Sequence, residues 1–210
     1  QRGASTIVVT VVDASGRRGA LRRHSPDLAR WCPPVSSNEL CSASDAHHEV
    51  RDRAGAERFL DRHGALPGEA VTLVGISGGF STCALTVAAD LSHVGILIGC
   101  LASHDYGPLP RLATELAERE PWIGAAMSSG SGTIPLRRPY ARITAAGIAL
   151  VGDSACQVFP AHGSGIGIGL VAGTMLADGL IDVDDLGNPH RLWARYQTPF
   201  QRELGGELLA

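Results

Sequence analysis

The sequence has no excess of positive charge and no long apolar run. Its net charge is -3, with 18 Lys and Arg against 21 Asp and Glu, so nothing would attract a polyanion or an anionic lipid surface. Gly, Ser, Asp or His interrupts every apolar run well before the roughly 18 residues that a transmembrane helix needs. The sequence shows no basic leader followed by an apolar block, the pattern that would indicate a signal peptide. We therefore expect neither a nucleic-acid partner nor a transmembrane segment.

Cysteine pairs, internal repeats and low-complexity segments are also missing. The five cysteines are odd in number and form no CxxC pair, which favours free thiols in a reducing cytoplasm. A bridge between Cys32 and Cys41 is conceivable in geometry but has no further support. We expect a cytoplasmic protein without a disulfide framework.

The first residues lack an initiating Met and a phosphate-binding glycine turn. The chain begins Gln1-Arg2-Gly3, and an apolar run starts within six residues, so we expect a piece of a longer protein. Its 210 residues suffice for a buried core in one large domain or two small ones.

Residues 147–180 are the most informative stretch. The apolar run from Gly147 to Val151 predicts a buried strand that ends at Gly152-Asp153. A loop with Pro160 follows, and the glycine-rich run 163–169 opens a helical pattern of small residues. A carboxylate at a strand end would then lie near the exposed amides of a helix start, an arrangement suited to a polyol or an anion.

The glycine-rich run does not match the dinucleotide fingerprint GxGxxG. Ile168 stands where the third glycine belongs, and a proline-containing loop precedes the run instead of a strand. A second strand end, Asp13-Ala14-Ser15-Gly16, follows the β-branched run 6–12. It is either a carboxylate and glycine turn approaching a cofactor or an ordinary turn with Asp as a cap.

The middle of the chain predicts an antiparallel sheet with flanking helices. Three apolar runs separated by short turns are typical of strands: Val71–Ile76, Phe80–Ala88 and Val94–Leu101. Their glycines, Gly78, Gly79, Gly95 and Gly99, suit either a pocket wall approached by a ligand or a plain structural meander. We expect helices over 54–63, 108–120 and 189–204, the last with Leu192, Trp193, Tyr196 and Phe200 as its apolar stripe.

Two polar segments are interpreted as irregular. The cluster 45–49, Asp-Ala-His-His-Glu, is better explained as a solvated loop than as a metal site, because adjacent histidines diverge in regular structure. The segment 128–132, Ser-Ser-Gly-Ser-Gly, predicts a flexible connection. No metal ligand is assigned.

Two of these motifs resemble a known family. The turn at Asp13 to Gly16, followed by Gly152-Asp153, Pro160 and the Gly163-x-Gly165-Ile166 turn, is similar to the downstream flavin motifs of the p-hydroxybenzoate hydroxylase-like flavoproteins. The similarity is greatest to the geranylgeranyl reductase-like oxidoreductases, and it spans nearly the whole chain. The family's N-terminal strand–GxGxxG–helix unit, which grips the ADP half of FAD, is absent from this sequence.

The resemblance implies an α/β (α+β) fold, with residues 1–24 and 130–210 as a remnant FAD-binding domain and 25–129 as the substrate-binding region. It implies that Asp153 holds the ribityl hydroxyl of FAD, beside Gly152 and Pro160. The amides of Gly163, Gly165, Ile166 and Gly167 would face the flavin, with Asp13 and Gly16 near the dinucleotide.

The implied function is an FAD-dependent reductase acting by hydride transfer on a small, apolar organic substrate, with NAD(P)H as a plausible reductant. The missing half that grips the ADP of FAD is then an expected partner. Two alternatives stay open: a flavin-dependent monooxygenase, and a non-catalytic module that binds a small molecule or lipid. His162 is a weak candidate proton donor beside the flavin loop, and nothing near Cys156 indicates an activated thiolate.

Overall fold

The computed structural model describes residues 10–75, 81–103, 109–159, 164–181 and 188–205. Two compact units divide the chain, one of residues 1–39 with 134–210 and the other of residues 40–133. The expected boundaries fell at residues 24/25 and 129/130. In the structure the divisions lie at residues 39/40 and 133/134, so that residues 25–39 group with the first unit and residues 130–133 with the second.

Within the described ranges, eight strands form two sheets. In chain order they are β1 (Val11–Asp13), β2 (Leu40–Val50), β3 (Ala70–Val74), β4 (Ser81–Val87), β5 (His93–Leu101), β6 (Ile123–Pro135), β7 (Thr144–Ala145) and β8 (Ile148–Leu150). The sheet of the first unit has the order β1-β8-β7, and the larger sheet has the order β3-β4-β5-β2-β6.

The helices are α1 (Pro26–Ala29), α2 (Arg53–His63), α3 (Leu109–Arg119), α4 (Gly165–Ile181), α5 (Pro189–Leu192) and α6 (Thr198–Glu203). A π-helical turn, Trp193–Gln197, joins α5 to α6, and short 3-10 turns span Gly16–Arg18, Arg22–His24, Ser37–Glu39 and Gly152–Ala155. These helices and the mixed and antiparallel sheets confirm the expected α+β class.

The small sheet brings the two expected strand ends together. Strand β1 pairs in parallel with β8, with Asp13 opposite Leu150, and β7 pairs antiparallel to β8. Because parallel neighbours end at the same sheet edge, the turns that follow β1 and β8 start side by side. A core from the sheet, α4 and the C-terminal helices lies around this pair, including Tyr140, Ile143, Leu150, Ala172, Leu176, Leu192, Tyr196 and Phe200.

The larger sheet buries one face through its alternation of residues. Along β5, Val94, Ile96, Ile98 and Cys100 are buried, while Leu97 between them is 51% exposed. The buried face packs with α2 and α3 in a single apolar cluster, as the period of two predicts. The three expected strands and the helix over 54–63 are therefore confirmed.

The structure differs from two expectations about this region, and a third concerns residues that it does not describe. Residues 45–49 are not a loop but lie in β2, paired with β5 from Asp45 opposite Leu97 to Glu49 opposite His93. The expected flexible segment 128–132 is part of β6, at the edge of the sheet. Gly78 and Gly79 lie outside the described residues.

The apolar stripe expected on the last helix is correct for three of its four members. Leu192, Tyr196 and Phe200 are buried, whereas Trp193 is 48% exposed. The π turn inserts an extra residue at Trp193–Gln197, which rotates the helix face there. Trp193 thereby leaves the stripe.

Candidate functional site

The end of β8 is a tight turn built around a glycine. Gly152 has φ of 68°, a left-handed conformation that side chains other than glycine adopt rarely. The 3-10 turn Gly152–Ala155 closes on Cys156, whose N–H donates to the carbonyl of Asp153 over 3.1 Å. The turn leads the chain away from the sheet with Asp153 at its start.

A buried chain of hydrogen bonds holds this turn in place. The Gly152 N–H donates to Gln157 Oε1 over 2.8 Å, and Gln157 Nε2 donates to the Tyr196 hydroxyl over 2.9 Å. The hydroxyl in turn donates to the Leu150 carbonyl over 2.8 Å. Because these side chains are fully buried, every polar group in the chain is satisfied without water.

Glycines on α4 let the turn approach the helix closely. A Cβ added to Gly165 would lie 2.9 Å from Val158 Cγ2 and 3.3 Å from Asp153 Oδ1. One helical turn later, a Cβ on Gly169 would lie 3.8 Å from the Gly152 Cα. The carboxylate of Asp153 therefore lies beside the N-terminal end of α4, whose dipole favours negative charge.

The Asp153 carboxylate is desolvated and lacks a hydrogen-bond or ion-pair partner among the described residues. Burial raises its pKa above the ordinary value, because a low-polarity surrounding disfavours the charged form. A partly buried carboxylate of this kind is an acceptor for a ligand hydroxyl. This is the chemistry expected of a polyol-binding position.

Asp13 has a different environment. It is fully buried, and its carboxylate accepts the N–H groups of Ser15, Leu21 and Arg22 over 2.8 to 3.1 Å. Desolvation favours a raised pKa, but the hydrogen bonds from the Ser15 hydroxyl and these amides outweigh it and lower the pKa of Asp13. Its carboxylate is thus used to shape the loop, which leaves Gly16, with φ of 69°, at the following bend.

The turn after β1 contacts the turn after β8 directly. The single hydroxyl proton of Ser154 faces two carbonyl oxygens, that of Asp13 and, over 2.9 Å, that of Val151. The buried Arg22 guanidinium donates to the Ser154 carbonyl over 2.5 Å. The residues expected from the two separate motifs, Asp13 and Gly16 with Gly152, Asp153 and Gly165, therefore belong to one connected structure.

Sequence reasoning missed the residues that support the site. Gln157 and Tyr196 fix the turn, and Ser154 and Arg22 connect it to the Asp13 loop. Only Ser154 carried a signal, since it follows Asp153 directly. Arg22, Gln157 and Tyr196 belong to no recognisable motif, and only the folded structure shows their contacts with the site.

Some expected site residues lie outside the described part of the chain, namely Pro160, His162 and Gly163. The residues that flank them are paired, because the Phe159 N–H donates to the Ser164 carbonyl over 3.1 Å. Ile166 and Gly167 follow in the first turn of α4, and the Ile166 side chain is 84% exposed. The amides of this first turn have no partners within the helix.

Burial disfavours the reactive thiolate form of the five cysteines. All five cysteines are unpaired and buried, and burial raises the pKa of Cys156 to about 11, so its thiolate is scarce near neutrality. Within the described ranges no group of His, Cys, Asp and Glu could hold a metal ion, and no helix there is long and apolar enough to cross a membrane.

Comparison with solved structures decides the kind of fold. A geranylgeranyl bacteriochlorophyll reductase-like protein from Thermoplasma acidophilum superposes with a TM-score of 0.73 at 18% identity, covering 95% of this chain and 47% of its own. A variant of HpxO from Klebsiella pneumoniae, solved with FAD, gives a TM-score of 0.57 at 16% identity over 90% and 48% of the two chains. PqsL from Pseudomonas aeruginosa, described as a probable FAD-dependent monooxygenase, gives 0.55 at 14% over 95% and 56%.

The chain shares its fold with part of each of these solved structures, one of them solved with FAD and another described as a probable FAD-dependent monooxygenase. At these identities the likeness concerns fold alone. No family model matches the sequence, and no curated protein matches it by sequence. The chain spans about half the length of the solved structures that it superposes on.

Proposed function

We propose that this chain is the flavin-facing and substrate-facing half of an FAD-dependent oxidoreductase of the reductase type. The carrying observation is the Asp153 carboxylate, which is desolvated, without a described partner, and beside Gly165 at the start of α4. A partly buried carboxylate with no partner among the described residues is available to accept a ligand hydroxyl. Fold neighbours that were solved with FAD or are described as flavin-dependent support the choice of ligand.

In this proposal the carboxylate and the backbone amides of the site would contact different parts of FAD. Asp153 would accept a ribityl hydroxyl, and the amides of Gly163, Gly165, Ile166 and Gly167 would meet the electron-rich edge of the ring. Because the helix dipole is positive at this end, these amides would favour the negative charge of the reduced ring system. Gly152 and Pro160 would shape the turn on either side.

The two remaining residues of the proposed site, Asp13 and Gly16, would lie farther from the flavin ring, in the turn after β1. Asp13 would orient the turn after β1 through its bonds to backbone amides, and Gly16 would leave room for the dinucleotide at the bend. FAD itself supplies hydride transfer, with NAD(P)H as reductant. We keep His162 as a weak candidate for a proton donor.

The larger sheet is the proposed substrate side. Its less buried face carries Gly95 and Gly99, where added Cβ atoms would meet His47 Cε1 at 3.4 Å and Cys41 Sγ at 3.3 Å. Leu97 lies between them and is half exposed. Glycines beside an exposed leucine would suit a small, apolar organic substrate that approaches the sheet closely.

The proposal includes a partner for α4. Ile166, Leu170 and Val171 are 84%, 68% and 45% exposed, although the helix is apolar nearly all round. A helix of this composition is normally covered on every side. Since the chain spans about half of its fold neighbours, we infer that a second half, which would grip the ADP part of FAD, covers this face.

The preference for a reductase depends on one comparison. The reductase-like structure superposes with a TM-score of 0.73, while PqsL, described as a probable FAD-dependent monooxygenase, gives 0.55. A monooxygenase is the second candidate, since the same fold serves both.

The test is FAD uptake followed by reduction. The purified chain, alone and joined to the missing half, is incubated with FAD, desalted and scanned for flavin absorbance. We expect the joined protein to retain bound flavin and NADH or NADPH to reduce that flavin. We expect no hydroxylation of an added substrate in the presence of O₂. A joined protein that stays colourless would leave only a non-catalytic binding module, and O₂-dependent hydroxylation would make it a monooxygenase.

A further inference from the structure

A cavity of about 380 Å³ in the first unit is lined by residues from the loop after α1, the segment that leads into β7, α5 and the π turn. Two of its described lining residues are tryptophans, Trp31 and Trp193, which are 47% and 48% exposed. The third tryptophan of the chain, Trp122, is 3% exposed, as expected of a residue type that is highly buried on average. Two half-exposed tryptophans at one cavity form an apolar surface suited to a ligand.

The π turn places Trp193 on the wall of this cavity. The extra residue of the turn rotates the helix face, so that Leu192 and Tyr196 stay buried while Trp193 turns outward. Helical turns of this type occur frequently at functional sites. The exposure of Trp193 is therefore set by the backbone of the helix.

Gln197 holds two walls of the cavity together. It is 3% exposed, and its Oε1 accepts the Ile143 N–H over 2.9 Å and the Thr144 hydroxyl over 3.2 Å. Its Nε2 donates to the Ala141 carbonyl over 2.9 Å. Because these bonds join the segment 141–144 to the π turn, the lining residues of both elements keep their positions before a ligand binds, which lowers the cost of binding.

Arg142 gives the cavity a positive charge. It is partly buried, and its Nε donates to the Thr144 carbonyl over 3.4 Å. Among the described residues, no carboxylate forms an ion pair with Arg142, and no Asp or Glu lines the cavity. A guanidinium pairs with a carboxylate through two parallel N–H groups. Arg142 therefore favours an anionic ligand and disfavours a cation beside the indole rings.

We propose that this cavity binds a small, planar aromatic carboxylate. The ring of the ligand packs against Trp31 and Trp193, and its carboxylate pairs with Arg142. The volume lies within the range of small-ligand pockets, and one guanidinium without a counter-ion matches one carboxylate. None of the proposed flavin residues lines the cavity, so the inference does not depend on FAD binding.

The test measures binding of 2-naphthoate to the purified chain by calorimetry, without FAD. One molecule is expected to bind per chain. Two analogues are each expected to bind at least about tenfold more weakly, because each lacks one of the two contacts. The analogue 2-naphthamide keeps the rings without the charge, and cyclohexanecarboxylate keeps the charge without an aromatic ring. No binding of 2-naphthoate, or equal binding of either analogue, overturns the proposal.

Substitutions separate the contribution of the charge from that of the rings. Arg142→Gln is expected to weaken 2-naphthoate binding about tenfold or more and to leave the affinity for 2-naphthamide unchanged. Arg142→Lys, which keeps the charge without the planar fork, is expected to fall between Arg142→Gln and wild type. Trp193→Gln is expected to weaken the binding of both aromatic probes.

The matched controls are Arg202→Gln and Leu66→Gln, which remove a charge and an apolar side chain from exposed positions outside the cavity. Both are expected to bind 2-naphthoate like wild type. Equal affinity in Arg142→Gln and Arg202→Gln, or in Trp193→Gln and Leu66→Gln, overturns the proposal.

Sedimentation of the chain tests whether a second copy covers the two tryptophans. No difference between wild type and Trp193→Gln is expected. Self-association that Trp193→Gln abolishes, and that 2-naphthoate does not displace, would assign Trp31 and Trp193 to an interface between copies and overturn the proposal.

Discussion

The Asp153 carboxylate lies against the first residue of α4, with Oδ1 3.3 Å from where a Cβ on Gly165 would stand. This proximity joins a strand-end acid to a helix N-terminus across a gap of twelve residues in sequence. It leaves no room for a side chain at Gly165 and places the acid within the positive end of the helix dipole. The Asp153 carboxylate is therefore expected to favour ligand binding and to lower the stability of the ligand-free fold near neutral pH.

If the proposed function holds, replacement of Asp153 by Asn weakens FAD binding roughly tenfold to a hundredfold in the chain joined to the proposed second half. The loss follows from a hydrogen bond to a charged acceptor, worth about 1.5–3 kcal/mol. Fluorescence titration of flavin measures it. Asp178→Asn, at the exposed far end of α4, is the control and should bind like wild type. Equal FAD affinity in Asp153→Asn and wild type would remove Asp153 from the site.

The same Asp153→Asn variant is expected to be at least as stable as wild type at pH 7 without FAD. Because the folded pKa of Asp153 is raised, this group stabilises the fold below its unfolded pKa, about 3.9, and that contribution is lost as the pH rises through the folded value. Thermal unfolding at pH 7 and near pH 3.5 measures the difference. A variant with lower Tm than wild type at pH 7 would contradict the desolvation argument.

Asp13 is expected to show the reverse pH dependence. Its folded pKa is lowered, so its stabilisation is present above the unfolded value of about 3.9 and is lost as the pH falls through the folded value. Asp13→Asn should cost about 2–3 kcal/mol at pH 7, since the amide cannot accept all the N–H groups that the carboxylate accepts.

Urea unfolding between pH 7 and pH 2 measures this cost, which should shrink toward the acid end. Asp61→Asn, at an exposed position of α2, is the matched control and should change stability by less than about 0.5 kcal/mol. A penalty for Asp13→Asn that is constant with pH would show that charge is not the cause.

The sequence predicted those features that depend on local pattern. The period of two along β5 and the glycine stop after β8 were enough to locate the strands and the Gly152-Asp153 turn. Residues 45–49 also alternate, with Ala46 and His48 buried and Asp45 and Glu49 exposed. Their polar character hid that pattern, and only the pairing with β5 reveals it.

The support of the site was beyond sequence reasoning because it is long-range. Gln157 and Tyr196 are 39 residues apart, and Arg22 and Ser154 are 132 apart. Neither pair has a spacing that a helix or a strand would bring together. The glycine-rich β6 was missed for a related reason, since pairing at the sheet edge overrides weak local propensity.

Two glycines of α4 are expected to respond oppositely to Ala. Gly165→Ala should cost about 1–3 kcal/mol from overpacking, because the new Cβ would lie 2.9 Å from Val158 Cγ2. Gly167→Ala meets nothing within 4 Å and should stabilise the helix by about 0.5–1 kcal/mol. Chemical denaturation measures both. Equal effects of the two substitutions would contradict the close contact between α4 and the Asp153 turn.

The exposed apolar face of α4 yields the last prediction. Leu170→Gln with Val171→Gln is expected to leave the stability of the isolated chain within about 0.5 kcal/mol, because both side chains are substantially exposed. The same pair should prevent uptake of FAD when a second polypeptide that supplies the proposed ADP-gripping half is added, since burial of these side chains would drive association. Ala177→Gln with Thr174→Gln, also exposed on α4, tests whether the effect is specific to the apolar positions. Full FAD uptake by Leu170→Gln/Val171→Gln would show that this face stays outside the interface, and the second half would then have to dock elsewhere on the chain.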